Sequence, residues 1–493
     1  MFETYLPVAI LFTSLGVAPI LLMMPERARG LRMAVNLAAA TVKVALVTWL
    51  ATSVVQGVHF EARRTIAPGL DLVLQADALS VLFLALSAVL WFLTTIYAVG
   101  YLEKSQNQSR FFAFFSLCVS ATVGIAMAGN LFTFLIFFEV LTLATFPLVV
   151  HNGTGEAQAG GRKYLTYTMG GGLALTLGTI WLYAVAGDVT FTPQGMLGTL
   201  PVTHERTLQA IFVLLIAGVG VKAALVPLHA WLPVSMVAPA PVSALLHAVA
   251  VVKAGAFGIM RIVYDVYGIE TVQALGLATP LALLATITIL YGSFVALSQD
   301  DLKRRLAYST VSQVSYITLG VALGSPVAAI GGLTHLIHQG IMKITLFLAA
   351  GNFAQRHGVK KVSQMDGMGK RMPVTMLAFT IGALGMIGVP PLAGFVSKWY
   401  LALGGLQADQ PMVIALLVAS SLMNAGYFLP ILHRAWFRPP PEGTQDRRED
   451  RLSWMLIVPP AMTAALIVIA GLTANAPFSP LGWTRFIVSL EYL

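Results

Sequence analysis

LQAIFVLLIAGVGVKAALVPLHAWLP, residues 208–233, reads as a membrane-spanning helix that breaks. Its first fourteen residues carry no charge, then Lys222 appears, followed by Pro227 and Pro233. A span needs about twenty predominantly apolar residues, and this stretch supplies them. Proline removes a backbone donor and clashes with the preceding turn. In lipid the freed carbonyls need other partners, so a break is tolerated only where protein or water lines it. The same device recurs in residues 373–406, where Pro390 and Pro391 precede Lys398. Two interrupted apolar helices, each with a lysine beside the break, point to an internal repeat and to a transport path at its centre.

Working outward, the twenty-residue ruler gives about fourteen spans: 4–24, 31–55, 78–101, 111–128, 131–150, 164–186, 208–233, 241–263, 274–298, 303–323, 328–355, 373–406, 411–437 and 454–473. The expected fold is all-α integral membrane. The interrupted helices are the seventh and twelfth, five apart, so the repeats must be inverted. This divides the chain into three N-terminal helices (1–110), a first five-helix repeat (111–265), a second inverted one (266–437), and a cytoplasmic loop with a C-terminal helix (438–493). The tail after Ala474 is expected in the interface.

Composition supports this reading. Apolar residues make up 57% of the 493 and charged ones 10%, against roughly 25% charged in a soluble domain. Cys118 is the single cysteine, which excludes an internal disulfide and four-thiolate iron–sulfur ligation. No Gly-rich phosphate loop, dinucleotide fingerprint or metal-ligand spacing appears. We therefore expect no cofactor, no metal and no chemical active site within the chain, leaving its standing as an enzyme open. The +9 charge is decided by location rather than by nucleic acid. Twenty basic residues, from Arg27 to Arg447, Arg448 and Arg451, fall in the loops of one face. Only Arg63, Arg64, Arg206, Arg261 and Arg485 fall on the other. That asymmetry places the first face in the cytoplasm and both termini outside. The first apolar run, Leu6 to Met24, has no basic residue before it, and reads as a retained helix rather than a cleaved signal.

Five basic residues remain, all lysines and all inside spans: Lys43, Lys222, Lys253, Lys343 and Lys398. Burying each costs about 2.5–3.5 kcal/mol on insertion scales. A buried lysine gives up its proton near neutral pH, whereas arginine practically never does. Glu139, the acid well inside a span, is expected to pair with Lys222, although Lys222 also has the length to snorkel. Lys253 lies mid-span. His247, six residues earlier, falls roughly 120° away and about 9 Å along an unbroken helix. It reads either as a link or as a packing residue. His335, Gln339 and Lys343 form an i, i+4, i+8 stripe, with His338 beside it; interhelical hydrogen bonding is the plainer alternative. Lys398 reads as an exchange site after the second break. His229 either lines the first break or caps it. Lys43 has no obvious partner, and a structural or lipid-facing role is favoured. Asp300 to Arg305 reads as capping and anchoring.

The stretches Gly220 to Pro233, Ala238-Pro239 and Val242 to His247 resemble the signature of the antiporter-like membrane subunits. That family is shared by respiratory complex I, Mrp-type sodium/proton antiporters and membrane-bound hydrogenases. Asp77 to Ser80, Phe137-Phe138-Glu139, Asp301 to Arg304, Ala307 to Thr310 and Gly388 to Lys398 are similar to it as well. The resemblance spans about residues 75–435 and implies fourteen helices with two inverted repeats and no cofactor. It implies Glu139 and Lys222 as a modulating pair, Lys253 as the central lysine, His247, His335 and Lys343 as links, and Lys398 as the exit. Length and lysine set look most like the Mrp D subunit or a close hydrogenase-associated relative. Lys398 stands where the middle complex I subunit typically has glutamate, and no long lateral extension follows. Val234 to Met236 and Gln339 depart from the family pattern. The expected function is proton/cation translocation within a multi-subunit cation/proton antiporter of a bacterial inner membrane, with protons and Na+ or K+ as cargo. The alternative is a proton-pumping subunit of a redox-driven quinone reductase or hydrogenase. A docking scaffold with inert lysines is a third reading.

Overall fold

A computed structural model describes residues 2–187, 189–199, 204–441, 449 and 452–491. Among these, ten helical segments are long and apolar enough to cross a membrane. The chain is a multi-pass membrane protein. Large apolar side chains such as Leu143, Leu173, Ile180, Phe294 and Leu422 stand exposed on its outside, as lipid contact requires. Arg447, Arg448 and Arg451, placed in the last polar loop from sequence, lie outside the described residues.

Helices α1 (Phe2–Leu15), α2 (Val17–Met23) and α3 (Arg29–Val55) open the chain. An antiparallel hairpin follows, β1 (Phe60–Ala67) against β2 (Leu70–Ala76), with Phe60 opposite Ala76. The all-α expectation does not include it. Next come α4 (Ala78–Tyr101), α5 (Gln108–Ala126), α6 (Leu131–Val149) and α7 (Gly155–Ala186). Side chains cap several of these: Asp77 Oδ1 accepts from Ser80 N at 2.6 Å, and Asn130 Oδ1 from Thr133 N at 2.8 Å. Each cap satisfies a first-turn N–H that a helix cannot pair internally.

Helix α8 (Glu205–Lys222) stops at Lys222, and the chain resumes in α9 (Trp231–Val234). Ala224 sits at φ +58°, a left-handed conformation rare for a residue with a side chain. Helix α10 (Ala240–Ala248) and α11 (Val251–Arg261) then occupy the expected eighth span, which is broken at Val249 and Ala250. After a π-helical turn, Ile262–Tyr267, come α12 (Ile269–Ala274), α13 (Ala278–Ser298), α14 (Leu302–Ala322) and the 32-residue α15 (Pro326–His357). The short α16 (Met368–Arg371) precedes α17 (Pro373–Ile387) and α18 (Ala393–Gln407), which flank the break at Pro390-Pro391. Helices α19 (Met412–Phe437), α20 (Trp454–Leu472) and α21 (Pro480–Glu491) complete the chain.

Helix α15 is the axis of the second half. It packs on α14, α18, α20, α10, α17, α21 and α4, and everything from Gly331 to Phe353 along it is buried. A polar stripe on such a helix faces protein, never lipid. In the first half, glycines let helices meet at the backbone. A Cβ at Gly255 of α11 would collide with the Lys222–Ala223 backbone, and one at Gly171 of α7 with Val221. The first break is therefore clamped from two sides.

Candidate functional site

Lys222 ends α8 with no exposed surface. Its Nζ donates to the Phe138 carbonyl and lies 3.4 Å from the centre of the Phe138 ring. No ion pair joins it to Glu139, which corrects the expectation of a closed pair. The two still feel each other's charge. Glu139 sits in a notch made by Gly172, and its Oε1 has no hydrogen-bond partner. Burial and cation–π contact hold Lys222 in place, so Lys222 is not snorkelling. The open end of α8 is closed by Trp231 Nε1, which donates to Val221 O at 2.7 Å. Val226 N donates to Thr288 Oγ1 of α13 at 3.1 Å. His229 stands over Tyr291 and Tyr308, with ring centres 4.9 and 6.2 Å apart. It faces the seam toward α13 and α14 rather than Lys222.

Lys253 lies in the first turn of α11, fully buried, and its Nζ has no partner. His247 is separated from it by the break at Val249 and Ala250, so the 120° offset of an unbroken helix does not apply. The His247 ring stacks on Phe347 of α15 at 4.4 Å, and neither ring nitrogen is bonded. His247 feels the charge of Lys343, and Lys343 that of Lys253. Lys253 on α11 thus lies within electrostatic reach of Lys343 on α15.

On α15 the stripe exists, but its bonds run sideways. His335 Nδ1 shares a 2.8 Å hydrogen bond with Ser397 Oγ, the residue before Lys398. Lys343 Nζ donates to Leu306 O at 3.0 Å and to Ser309 Oγ at 2.8 Å on α14. Gln339 and Gln313 have both amide atoms unbonded, and so do both ring nitrogens of His338. From Ser309 a chain continues. Tyr427 OH lies 2.8 Å from Ser309 Oγ and 2.6 Å from Asn424 Oδ1, and Asn424 Nδ2 donates to Met386 O at 3.2 Å. Lys398 Nζ donates to that same carbonyl at 3.0 Å, to Ile387 O at 2.9 Å and to Ser421 Oγ at 3.0 Å. The freed carbonyls of the second break hold the lysine. Tyr316 spans the gap between His335 and Lys398, at 5.2 and 5.4 Å.

Sequence reasoning missed Ser309, Ser397, Tyr316, Asn424 and Tyr427. Of these, Ser309 and Ser397 fall within the family-like stretches, but neither was singled out. Three basic residues also sit deeper than their assignment to loops: Arg32, Arg261 and Arg305, the last with its guanidinium donating to the Tyr427 carbonyl at 2.8 Å. Arg32 is buried at the start of α3, bonded to Ser109 Oγ at 2.7 Å and Gln108 Oε1 at 2.8 Å. Arg261 is buried in a triad, 2.7 Å from Asp77 and 2.9 Å from Asp265. It fastens the end of α11 to the cap of α4. Lys43 is fully buried among α1, α4 and α5, which removes the lipid-facing expectation. Among the described residues no cluster of three His, Cys, Asp or Glu side chains is arranged to hold a metal.

The family model described as NADH:quinone oxidoreductase/Mrp antiporter, transmembrane, matches residues 128–424, more than half of the chain. The chain belongs to that family. A second model, the N-terminus of complex I chain 5, matches residues 68–112. Among its relatives in this family is NADH-quinone oxidoreductase subunit N of Desulforudis audaxviator, 36% identical over 422 residues, which cover 82% of each chain. A protein of Rhizobium meliloti described as the probable A/B subunit of a K(+)/H(+) antiporter is 31% identical over 83% of this chain and 41% of the relative. The chain thus spans about two fifths of that relative's length. The fold matches a chain of the Mrp complex of Dietzia sp. DQ12-45-1b with a TM-score of 0.88 at 23% identity, covering 100% and 98% of the two chains. An archaeal membrane-bound sulfane sulfur reductase chain matches at 0.85 and 26% identity, covering 99% and 96%.

Proposed function

We propose that this chain is a proton/cation-translocating subunit of a multi-subunit Mrp-type cation/proton antiporter in a bacterial inner membrane. Protons reach the Glu139–Lys222 half, cross at Lys253, and leave by His335, Lys343 and Lys398. His247 is a link beside the central lysine, and His229 and His338 are secondary candidates. The observation that carries this reading is the bonding of the lysines. Lys222, Lys343 and Lys398 are held by carbonyls and hydroxyls, with no carboxylate paired to any of them. Ammonium groups in such settings lose a proton without breaking an ion pair. Lys253 has no partner at all.

The finer architecture belongs to the same reading: fourteen spans with both termini outside, and inverted repeats over 111–265 and 266–437 after three leading helices. It is supported by α8/α9 and α17/α18, each a helix interrupted beside a lysine. The cargo is protons with Na+ or K+, and the partners are other membrane subunits.

The test is Lys253→Ala in the intact complex, reconstituted into vesicles. Ion-driven proton flux should vanish while subunit composition stays unchanged. Retained flux would remove the central step. A second reading, a proton-pumping subunit of a redox-driven complex, is favoured by the 82% mutual coverage with subunit N. Mass spectrometry of the gently purified complex decides between them: iron–sulfur partners support the redox complex, small hydrophobic partners the antiporter.

A further inference from the structure

The N-terminal helices hold a buried lysine for which the proposed proton path has no use. Lys43 on α3 has no exposed surface. Its Nζ donates to Ser14 Oγ of α1 at 2.6 Å, and Ser14 accepts again from Ser120 Oγ of α5 at 2.9 Å. The ring of Trp91 on α4 lies 4.6 Å away. No acid, histidine or second cation of α1, α4 or α5 acts on it among the described residues.

Five more buried polar atoms on the surrounding helices lack a hydrogen-bond partner: Asn36 Oδ1, Ser87 Oγ, Trp91 Nε1, Thr95 Oγ1 and Ser116 Oγ. Ser87, Trp91 and Thr95 share one stripe of α4 at i, i+4 and i+8, the stripe that carries the ring beside Lys43. Asn36 and Ser116 lie between Lys43 and the loop side. Along α3, Asn36 and Lys43 stand about 6 and 16.5 Å beyond Arg32; along α5, Ser116 and Ser120 stand about 10.5 and 16.5 Å beyond Ser109. Arg32 and Ser109 are bonded to each other at 2.7 Å. The seam is thus tied at its mouth by Arg32–Ser109, at its end by Lys43–Ser14–Ser120, and unsatisfied between. The large majority of buried polar groups find partners. Unbonded ones gathered in a file take bridging water, and the same signature surrounds Lys253, Gln313, His338 and Gln339.

We propose that Lys43 and this seam form a second proton-exchange site, reached from the Arg32 side when the Arg32–Ser109 tie parts, and separate from the Lys222–Lys398 row. The ammonium passes one proton to seam water, giving hydronium and a neutral amine. Ser14, an acceptor while Lys43 is charged, then turns its hydroxyl to donate to the amine.

This rests on the reading that the row carries protons, so Lys253→Met is run alongside; unchanged flux in that variant defeats the reading itself. In the reconstituted complex, Lys43→Met and Lys43→Arg should each lose flux severalfold, the arginine because it cannot release a proton. Lys43→His should restore flux with its pH profile displaced to lower pH. Full flux in Lys43→Arg, or in Lys43→Met, overturns the proposal by making Lys43 a structural cation. Should the variants fail to assemble, hydroxyl-radical footprinting of the native complex decides. Trp91 is oxidised through seam water while the equally buried Met376 is spared, and equal protection of both overturns the proposal.

Discussion

Tyr427 occupies a position where one hydroxyl hydrogen has two acceptors. Asn424 points its Nδ2 at Met386 O, which leaves Oδ1 turned to Tyr427. Ser309 Oγ accepts from Lys343 Nζ and from Tyr427 OH, whose single hydrogen is also aimed at Asn424 Oδ1. When Lys343 gives up its proton, Ser309 draws more on that shared Tyr427 hydrogen, and Asn424 Oδ1 draws less. The charge on Lys343 is thus coupled to the groups that hold Lys398. Tyr427→Phe keeps the ring and removes the hydroxyl, leaving Asn424 Oδ1 unpaired at a cost of about 1–3 kcal/mol. We expect ion-driven flux to fall about tenfold, the factor that about 1.4 kcal/mol makes, with assembly intact. Vesicle flux assays check this, and wild-type rates would remove the coupling. All five span lysines were legible in the sequence because a charge in an apolar run stands out. Their hydroxyl partners were not, since most span hydroxyls bond the carbonyl a turn back, as Thr94 does to Leu90 O and Thr345 to Ile341 O. A sequence cannot tell those from Ser309. Lys43 went the other way: its charge was noticed, but α1, α4 and α5 turn that face of α3 inward.

At the scale of elements, breaks marked by proline were legible and the break without one was not. Val249 and Ala250 carry no Gly or Pro, so α10 and α11 read as one span. The hairpin was passed over because a hydropathy ruler ignores alternation, although Pro68-Gly69 is a turn signal. The α8 break depends on Gly255, whose Cα lies against the Lys222–Ala223 backbone. Backbone cannot yield as a side-chain tip can, so Gly255→Ala should cost about 1–3 kcal/mol by overpacking. It should lower the melting temperature of the complex and its flux together; an unchanged melting temperature would show that the break is not clamped there. The start of α5 is clamped differently. Glu26 accepts from Gln108 N and Ser109 N, both at 3.0 Å. Burial pushes its carboxyl up, but those N–H donors and the Arg32 guanidinium outweigh it and hold the pKa below the ordinary range. The stabilisation is therefore complete above the unfolded value, about 4.3, and is lost as pH falls through the lower folded value. Glu26→Gln should destabilise at pH 7 and become indistinguishable from wild type in acid. Melting curves across that window check the sign.

For the whole molecule, the proposed inside–outside assignment rests on charge counting, and burial sharpens which charges count. Arg32, Arg305 and Arg261 are loop cations by sequence but are buried, Arg261 within an ion triad. Such residues report internal bonding rather than the surface that the positive-inside rule samples. Removing Arg32 and Arg305 from one side and Arg261 from the other leaves the asymmetry intact, because the first count far exceeds the second. Exposed markers stand on each side: Arg64 on the hairpin and Lys104 in the turn between α4 and α5. Cys118 makes the assignment directly testable. It is the only cysteine, fully buried and 3.4 Å from Thr145 Oγ1, so the native chain should be silent to a membrane-impermeant maleimide. Arg64→Cys should label on intact cells and Lys104→Cys only after permeabilisation. The opposite pattern would invert the molecule in the membrane. It would leave the lysine row untouched, since that row is fixed by contacts within the fold rather than by its orientation in the bilayer.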